Sequence, residues 1–189
     1  MIHLLIQQLI ADGPVVTDGA WGTQLQARGL EAGECPDAWN LSHPDKVEEI
    51  ARSYVQAGSR VILTNTFRAN RIALADYGLA EKTGEINRTG ASISRRAAGL
   101  ARVFASMGPS GKMLVSGETT EEALRAAFRE QAEALVEGGA DALVLETMSD
   151  LVEAKLAIAA AQETGLPVVA SMVFDTGRNK DRTMTGATP

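Results

Sequence analysis

Five short apolar runs, rich in β-branched residues, alternate along the chain with segments whose apolar positions recur at helical spacing. The first, residues 14–16, breaks into Thr17, Asp18, Gly19, Ala20, Trp21, Gly22 and Thr23. It reads as a strand that delivers a carboxylate to a loop where glycine lets the backbone approach a ligand closely. The same order recurs twice. Residues 56–66 run helix end, Gly58, apolar strand, then Thr64, Asn65 and Thr66; residues 137–147 run Gly138 and Gly139, apolar strand, then Glu146 and Thr147. Residues 102–106, ahead of Met107, Gly108, Pro109, Ser110 and Gly111, and residues 167–172 complete five strands. Their unbroken apolar character predicts parallel strands buried on both faces.

Helical patterns fill the intervals. Ser42 is the expected N-cap of a helix that has Pro44 in its first turn, Val47, Ile50, Ala51, Tyr54 and Val55 on its apolar face, and Gly58 at its end. Thr119 or Thr120 caps a second, with Glu121 and Glu122 favourable to the helix dipole and Leu124, Ala127, Phe128 and Leu135 inward. A third runs from about residue 151 to 161 behind Asp150 as N-cap. Residues 70–99 read as helical with breaks near Gly78 and Gly84, and Ile86, Ile93 and Ala97 as buried positions. Residues 2–10 form a short amphipathic helix whose apolar positions are too crowded for one stripe, so it is expected to plug or cover another part of the fold.

Composition narrows the partners. A chain of 189 residues, 45% hydrophobic and 22% charged, reads as one domain spanning residues 1–189 with one sizeable core. No apolar run approaches the ~20 residues of a membrane span, and the first ten residues lack signal-peptide features, so a cytoplasmic location is expected. The net charge of -6 and the lack of any Lys/Arg cluster argue against nucleic acid or an anionic membrane as partner. A single cysteine, Cys35, excludes an internal disulfide. Alternating β and α units leave an open doubly wound sheet or a closed (βα)8 barrel, and length alone favours the open sheet, because a barrel typically takes ~250 residues.

The motifs favour the barrel. Asp18-Gly19-Ala20-Trp21-Gly22-Thr23, Thr64-Asn65-Thr66-Phe67, Met107-Gly108-Pro109-Ser110-Gly111, Leu145-Glu146-Thr147-Met148 and Thr183-Met184-Thr185-Gly186 occur in the order found in the homocysteine S-methyltransferase family. The chain resembles that family, which includes betaine:homocysteine methyltransferase and the homocysteine-binding module of cobalamin-dependent methionine synthase; residues 108–114 are most similar to the methionine synthase branch. The resemblance implies an α/β (βα)8 TIM barrel of which about the first five βα units are present. It implies methyl transfer to the homocysteine thiol, giving methionine, in the complete zinc-containing domain. A different thiol or selenol acceptor, or an inactive amino acid binding fragment, are the alternatives. The methyl donor (betaine, S-methylmethionine, or methylcobalamin charged from methyltetrahydrofolate) and the partners, cobalamin or folate modules or a second copy, stay open.

Zinc follows from the same resemblance, since coordination removes the proton from a thiol whose ordinary pKa is ~8.5. The family's three cysteine ligands belong to the sixth strand and to a pair after the eighth, so none falls on this chain. Cys35, His3 and His43 match no ligand position, and no metal site is assigned. The chain by itself is therefore expected to be a poor monomer without methyltransferase activity. Substrate binding is assigned to five residues. Glu146 ends a strand, and the resemblance makes it the acceptor for the substrate ammonium; a rim salt bridge is the bland alternative. Asp18 and Gly19 resemble a second contact to the amino acid, against a turn aspartate bonding its own backbone. Thr64 and Thr66 offer hydroxyl or backbone donors to the carboxylate, against plain strand threonines. Arg68, Asn65 and Asn70 are weaker candidates on the donor side, Trp21 either walls the pocket or packs on Trp39, Asn87 reads as a structural hydrogen bond, and Ser106 and Ser171 face the rim by strand position alone.

Overall fold

The computed structural model describes residues 3–189; Ile2, inside the predicted N-terminal helix, lies outside the described residues. The elements are α1 (Leu4–Ile10), α2 (Trp21–Ala27), α3 (Trp39–Ser42), α4 (Pro44–Gln56), β1 (Val61–Ile62), α5 (Arg71–Ala75), α6 (Thr83–Ala98), β2 (Arg102–Met107), α7 (Glu121–Glu137), β3 (Ala142–Met148), α8 (Leu151–Gln162) and β4 (Val168–Met172), with 3-10 turns at Pro36–Ala38 and Ala80–Lys82. None of the described helices is long and apolar enough to cross a membrane.

The four strands form one parallel sheet in the order β1-β2-β3-β4. Ahead of them Thr17 pairs in parallel with Val61. Five parallel segments therefore lie side by side in chain order. A doubly wound sheet reverses its strand order at a switch point, whereas barrel units follow one another around. The order identifies the barrel arrangement, with helices packed outside.

The first predicted strand is reduced to that single bridge, flanked by Arg60 N–H to the Val16 carbonyl (2.9 Å) and Asp18 N–H to the Val61 carbonyl (3.1 Å). The physical reason is visible on both sides. Pro14 has no N–H to give, and beyond Ile62 the ladder stops because Leu63 N–H donates to the Asp18 carboxylate instead of to a neighbouring strand (2.7 Å). At the other side of the sheet β4 departs from the expected double burial: its middle residues are exposed, Val169 by 38%. Among the described residues only β3 pairs with it.

Side chains alternate as the pleat requires. Val61, Phe104 and Ala142 point inward and are covered by the partly buried Leu5, Ile6 and Leu9 of α1, which lies over that part of the core as the crowded apolar pattern suggested. Ala105, Met107, Leu143 and Leu145 point outward against Leu124, Phe128 and Leu135 of α7 and the alanine face of α8. Ile62 and Val103 meet Ala51 of α4 and Ala97 and Ala98 of α6. Thr120 and Asp150 cap α7 and α8 through their side chains as predicted. Ser42 does not cap α4. It ends α3, donates to the Ala38 carbonyl, and leaves His43 as N-cap. The predicted break near Gly78 is real, with φ of 69°, but Gly84 lies inside α6.

Gly90 shows what a helical glycine does here. A Cβ at this position would come within 2.5 Å of Asn40 Nδ2 and 2.7 Å of Thr66 Cγ2, so the missing side chain lets α6 approach the loop after β1. Gly90→Ala would stabilise an exposed helix by about 1 kcal/mol. Here it is expected to destabilise by about 1 to 3 kcal/mol through overpacking, as read from the thermal midpoint; a stabilised variant would show that the contact yields.

Candidate active site

At the C-terminal ends of the strands lies a cavity of about 360 Å³. Of the five predicted residues, Gly19, Thr64, Thr66 and Glu146 line it, joined by Trp21, Asp37, Arg68, Tyr77 and Ser106. Asp18 does not. It stands beside the cavity and accepts from Trp21 Nε1 (2.8 Å) and from Leu63 N–H (2.7 Å) through the same oxygen, holding two wall residues in place. Burial raises its pKa, opposed by those two hydrogen bonds and reinforced by the negative charge of Glu146. Two carboxylates that repel across a rim favour a cation between them.

Glu146 points inward by the alternation that also turns Ala142 inward, and a bulge follows it. Leu145 pairs with Ala170 but Met148 with Met172, so β3 carries one extra residue, and Thr147 adopts a φ of 62°. For a β-branched residue this is a strained conformation. Its effect is that Glu146 and Thr147, neighbours that a regular strand would send to opposite faces, both line the cavity. Ser106 on β2 donates its hydroxyl to Glu146 Oε1 at 2.5 Å, which fixes the carboxylate from the adjacent strand.

The threonines are arranged in a ring. Ser106 N–H donates to Thr64 Oγ1 (3.0 Å), Thr66 Oγ1 donates to the Ser106 carbonyl (2.7 Å), and the two hydroxyls lie 2.5 Å apart. Because the Thr66 proton is committed to a carbonyl, Thr64 must donate to Thr66. Both hydroxyl protons are thus used inside the fold, and both residues are buried. What the loop retains for a ligand is backbone N–H.

Asp37 was not singled out by the sequence. It is buried, its Oδ1 accepts from Arg68 N–H (3.2 Å), and its Oδ2 has only Cys35 Sγ at 4.0 Å. Burial pushes its pKa up to about 6 against the pull of that N–H. Burial, then the Asp37 charge, also pushes up the Cys35 thiol. Of the weaker candidates, Trp21 both walls the cavity and packs in one cluster with Trp39, Asn87 donates to the Ala69 and Thr83 carbonyls, and Asn70 caps α5. Arg68 lines the cavity half exposed, 3.8 Å from Asp76. Ser171 is exposed away from it.

Residues 15–189 match the family model described as homocysteine S-methyltransferase. The chain belongs to the homocysteine S-methyltransferase family. Among its relatives is methionine synthase of Mycobacterium tuberculosis, 36% identical over 183 residues, covering 86% of this chain and 15% of the relative. Methionine synthase of Mycobacterium leprae is 37% identical over 166 residues, covering 80% and 14%. The chain thus spans about a seventh of these relatives' length. The crystal structure of the Escherichia coli homocysteine methyltransferase MmuM in its metallated form superposes with a TM-score of 0.79 at 25% identity, covering 97% of this chain and 70% of that one.

The zinc that the family implies is not matched by the residues present. Among the described residues no three of His, Cys, Asp or Glu converge as ligands. Cys35 is buried beside Asp37, His43 stacks on Trp39 at 4.4 Å, and His3 caps α1 by accepting from Leu5 N–H. A catalytic zinc needs about three protein ligands, so these residues alone do not build the site.

Asp37 makes stability depend on pH in a direction opposite to a salt-bridged carboxylate. Its folded pKa of about 6 exceeds the ordinary 3.8, so its stabilising contribution is full below the unfolded value and is lost as pH rises through the folded one. The loss amounts to roughly 3 kcal/mol between about pH 4 and pH 7. Asp37→Asn keeps an acceptor for Arg68 N–H and is expected to abolish that part of the fall. Thermal denaturation of both proteins across this range checks it, and parallel profiles would show that Asp37 ionises normally in the fold.

Proposed function

We propose that this domain binds homocysteine and presents its thiol for methylation, giving methionine. The observation that carries the reading is Glu146, turned to the cavity wall at the end of β3, steadied by Ser106 and set near Asp18. Homocysteine offers an ammonium, a carboxylate and a thiol. The ammonium suits Glu146, whose charge is exposed to the cavity and has no cation among the described residues. The carboxylate suits the backbone donors of residues 64–67 on the adjoining wall, since Thr64 and Thr66 have no hydroxyl proton to spare. Glycine at position 19 keeps that side close, because a Cβ there would press on the Tyr54 ring at 3.3 Å.

With both charged ends held, the thiol is the only free end of the ligand. In the reaction the sulfur forms a bond to the methyl carbon while the bond from that carbon to the donor breaks, and the thiol proton is lost. The chain's residues contribute orientation: holding sulfur in line with an incoming methyl removes much of the entropic barrier to such a displacement. The family and the names of its methionine synthase and homocysteine methyltransferase relatives support this acceptor.

Calorimetry on the full-length protein tests the reading with two ligands. Glu146→Ala is expected to weaken homocysteine binding by about 2 to 4 kcal/mol, the loss of a charged partner for a buried ammonium. Binding of γ-mercaptobutyrate, which lacks the ammonium, should barely change. Undiminished homocysteine affinity in the variant would reject Glu146 as the ammonium acceptor.

A further inference from the structure

The loop of residues 63–70 is held from behind by three carboxamides that do not themselves line the cavity. Gln131, fully buried in α7, donates from Nε2 to the Thr66 carbonyl (2.9 Å) and to Asn87 Oδ1 (3.3 Å). Asn87 in α6 donates to the Ala69 carbonyl (2.7 Å) and the Thr83 carbonyl (2.8 Å). Asn40 in α3 donates to the Asn65 carbonyl (2.8 Å) and the Ile86 carbonyl (3.2 Å). Each amine group meets a carbonyl, which can only accept, so the orientation of all three amides is determined.

A trans peptide sends its carbonyl and its N–H in opposite directions. Drawing the Asn65 and Thr66 carbonyls back toward α3 and α7 therefore turns the N–H groups of Thr66 and Phe67 forward, and both residues line the cavity. Neither N–H has a hydrogen-bond partner among the described residues. Thr66 is buried and Phe67 partly so, and unpartnered amides at such positions are rare. Two in succession, facing a cavity, suit an anionic oxygen pair.

We propose that Gln131 is a positioning residue that aims this peptide at the substrate carboxylate, and so sets the preference for a carboxylate-bearing thiol. The proposal rests on the homocysteine reading above. Gln131 is not needed to satisfy the Thr66 carbonyl, which already accepts from Ala69 N–H at 3.1 Å. Its own Oε1 has no partner. One of its protons satisfies Asn87 Oδ1; the other gives the Thr66 carbonyl a second hydrogen bond, and that bond acts on the peptide's direction and polarity.

The test uses the full-length protein, calorimetry, and two thiols: homocysteine and homocysteamine, the amine that lacks the carboxylate. Gln131→Met removes the donor and the unpaired oxygen together and keeps the volume, at the cost of the donor to Asn87 Oδ1. It is expected to weaken homocysteine by about tenfold and homocysteamine by less than about twofold. Gln131→Asn, which withdraws the donor by one methylene, should lose homocysteine affinity in the same selective way, and it carries the comparison if circular dichroism shows the Met variant unfolded. Equal losses for both thiols, or an unchanged homocysteine affinity, overturn the positioning role while leaving the homocysteine reading intact. A wild-type protein that binds neither thiol overturns the reading and the proposal together.

Discussion

Where a strand ends and its chain must still cross a buried rim, each carbonyl that leaves the ladder needs another donor. The segment after β1 is governed by that requirement. The carbonyl of Leu63 is met by Ser94 Oγ, that of Asn65 by Asn40, that of Thr66 by Gln131 and Ala69 N–H, that of Phe67 by Gly108 N–H, and that of Ala69 by Asn87. A buried polar group left alone costs about 1 to 3 kcal/mol, so these partners are a condition of the fold. They come from α3, α6, α7 and the turn after β2. The wall of the cavity is thereby tied to most of the surrounding helices, and its geometry is inherited from their packing.

The same requirement explains the glycines near the wall. Gly108 sends its N–H to the Phe67 carbonyl at 2.7 Å, and a Cβ there would lie 2.5 Å from the Phe67 ring, so only a bare backbone can make that bond. Gly90 plays the same part from α6, where Asn40 and Thr66 fill the space a side chain would take. Two glycines, one in α6 and one after β2, thus serve one loop. Their common cause is close approach, not turn formation, and neither has a φ in the left-handed region.

Much of this was legible in the residues, for identifiable reasons. Strand tips bearing Glu146 and Thr66 stand out because glycine C-caps and β-branched runs are local signals, and the helix caps Thr120 and Asp150 follow from chemistry within three residues. The interruption of the first strand was not legible, because it depends on Asp18 taking Leu63 N–H across 45 positions. The bulge after Glu146 was hidden by propensity, because Thr147 is the wrong residue for a positive φ. Gln131 did leave a trace. It falls on the stripe of Leu124, Phe128 and Leu135, and a carboxamide on a buried helical face must bond something outside its own helix. Asp37, buried behind Pro36 in an irregular segment, left none.

The division of labour between the two rim carboxylates follows from their hydrogen bonds. Asp18 uses one oxygen twice, on an indole and a peptide, and its neighbours rather than its charge form the wall. Glu146 is held by one short bond from Ser106 and keeps the rest of its accepting capacity toward the cavity. Glu146 is therefore a carboxylate already oriented, beside an Asp18 whose proton affinity is raised mostly by burial and further by the negative charge of Glu146. A cation bound between the two would relieve their repulsion. Under the proposed reading, this orientation fixes the far end of the amino acid, on which alignment of the sulfur depends.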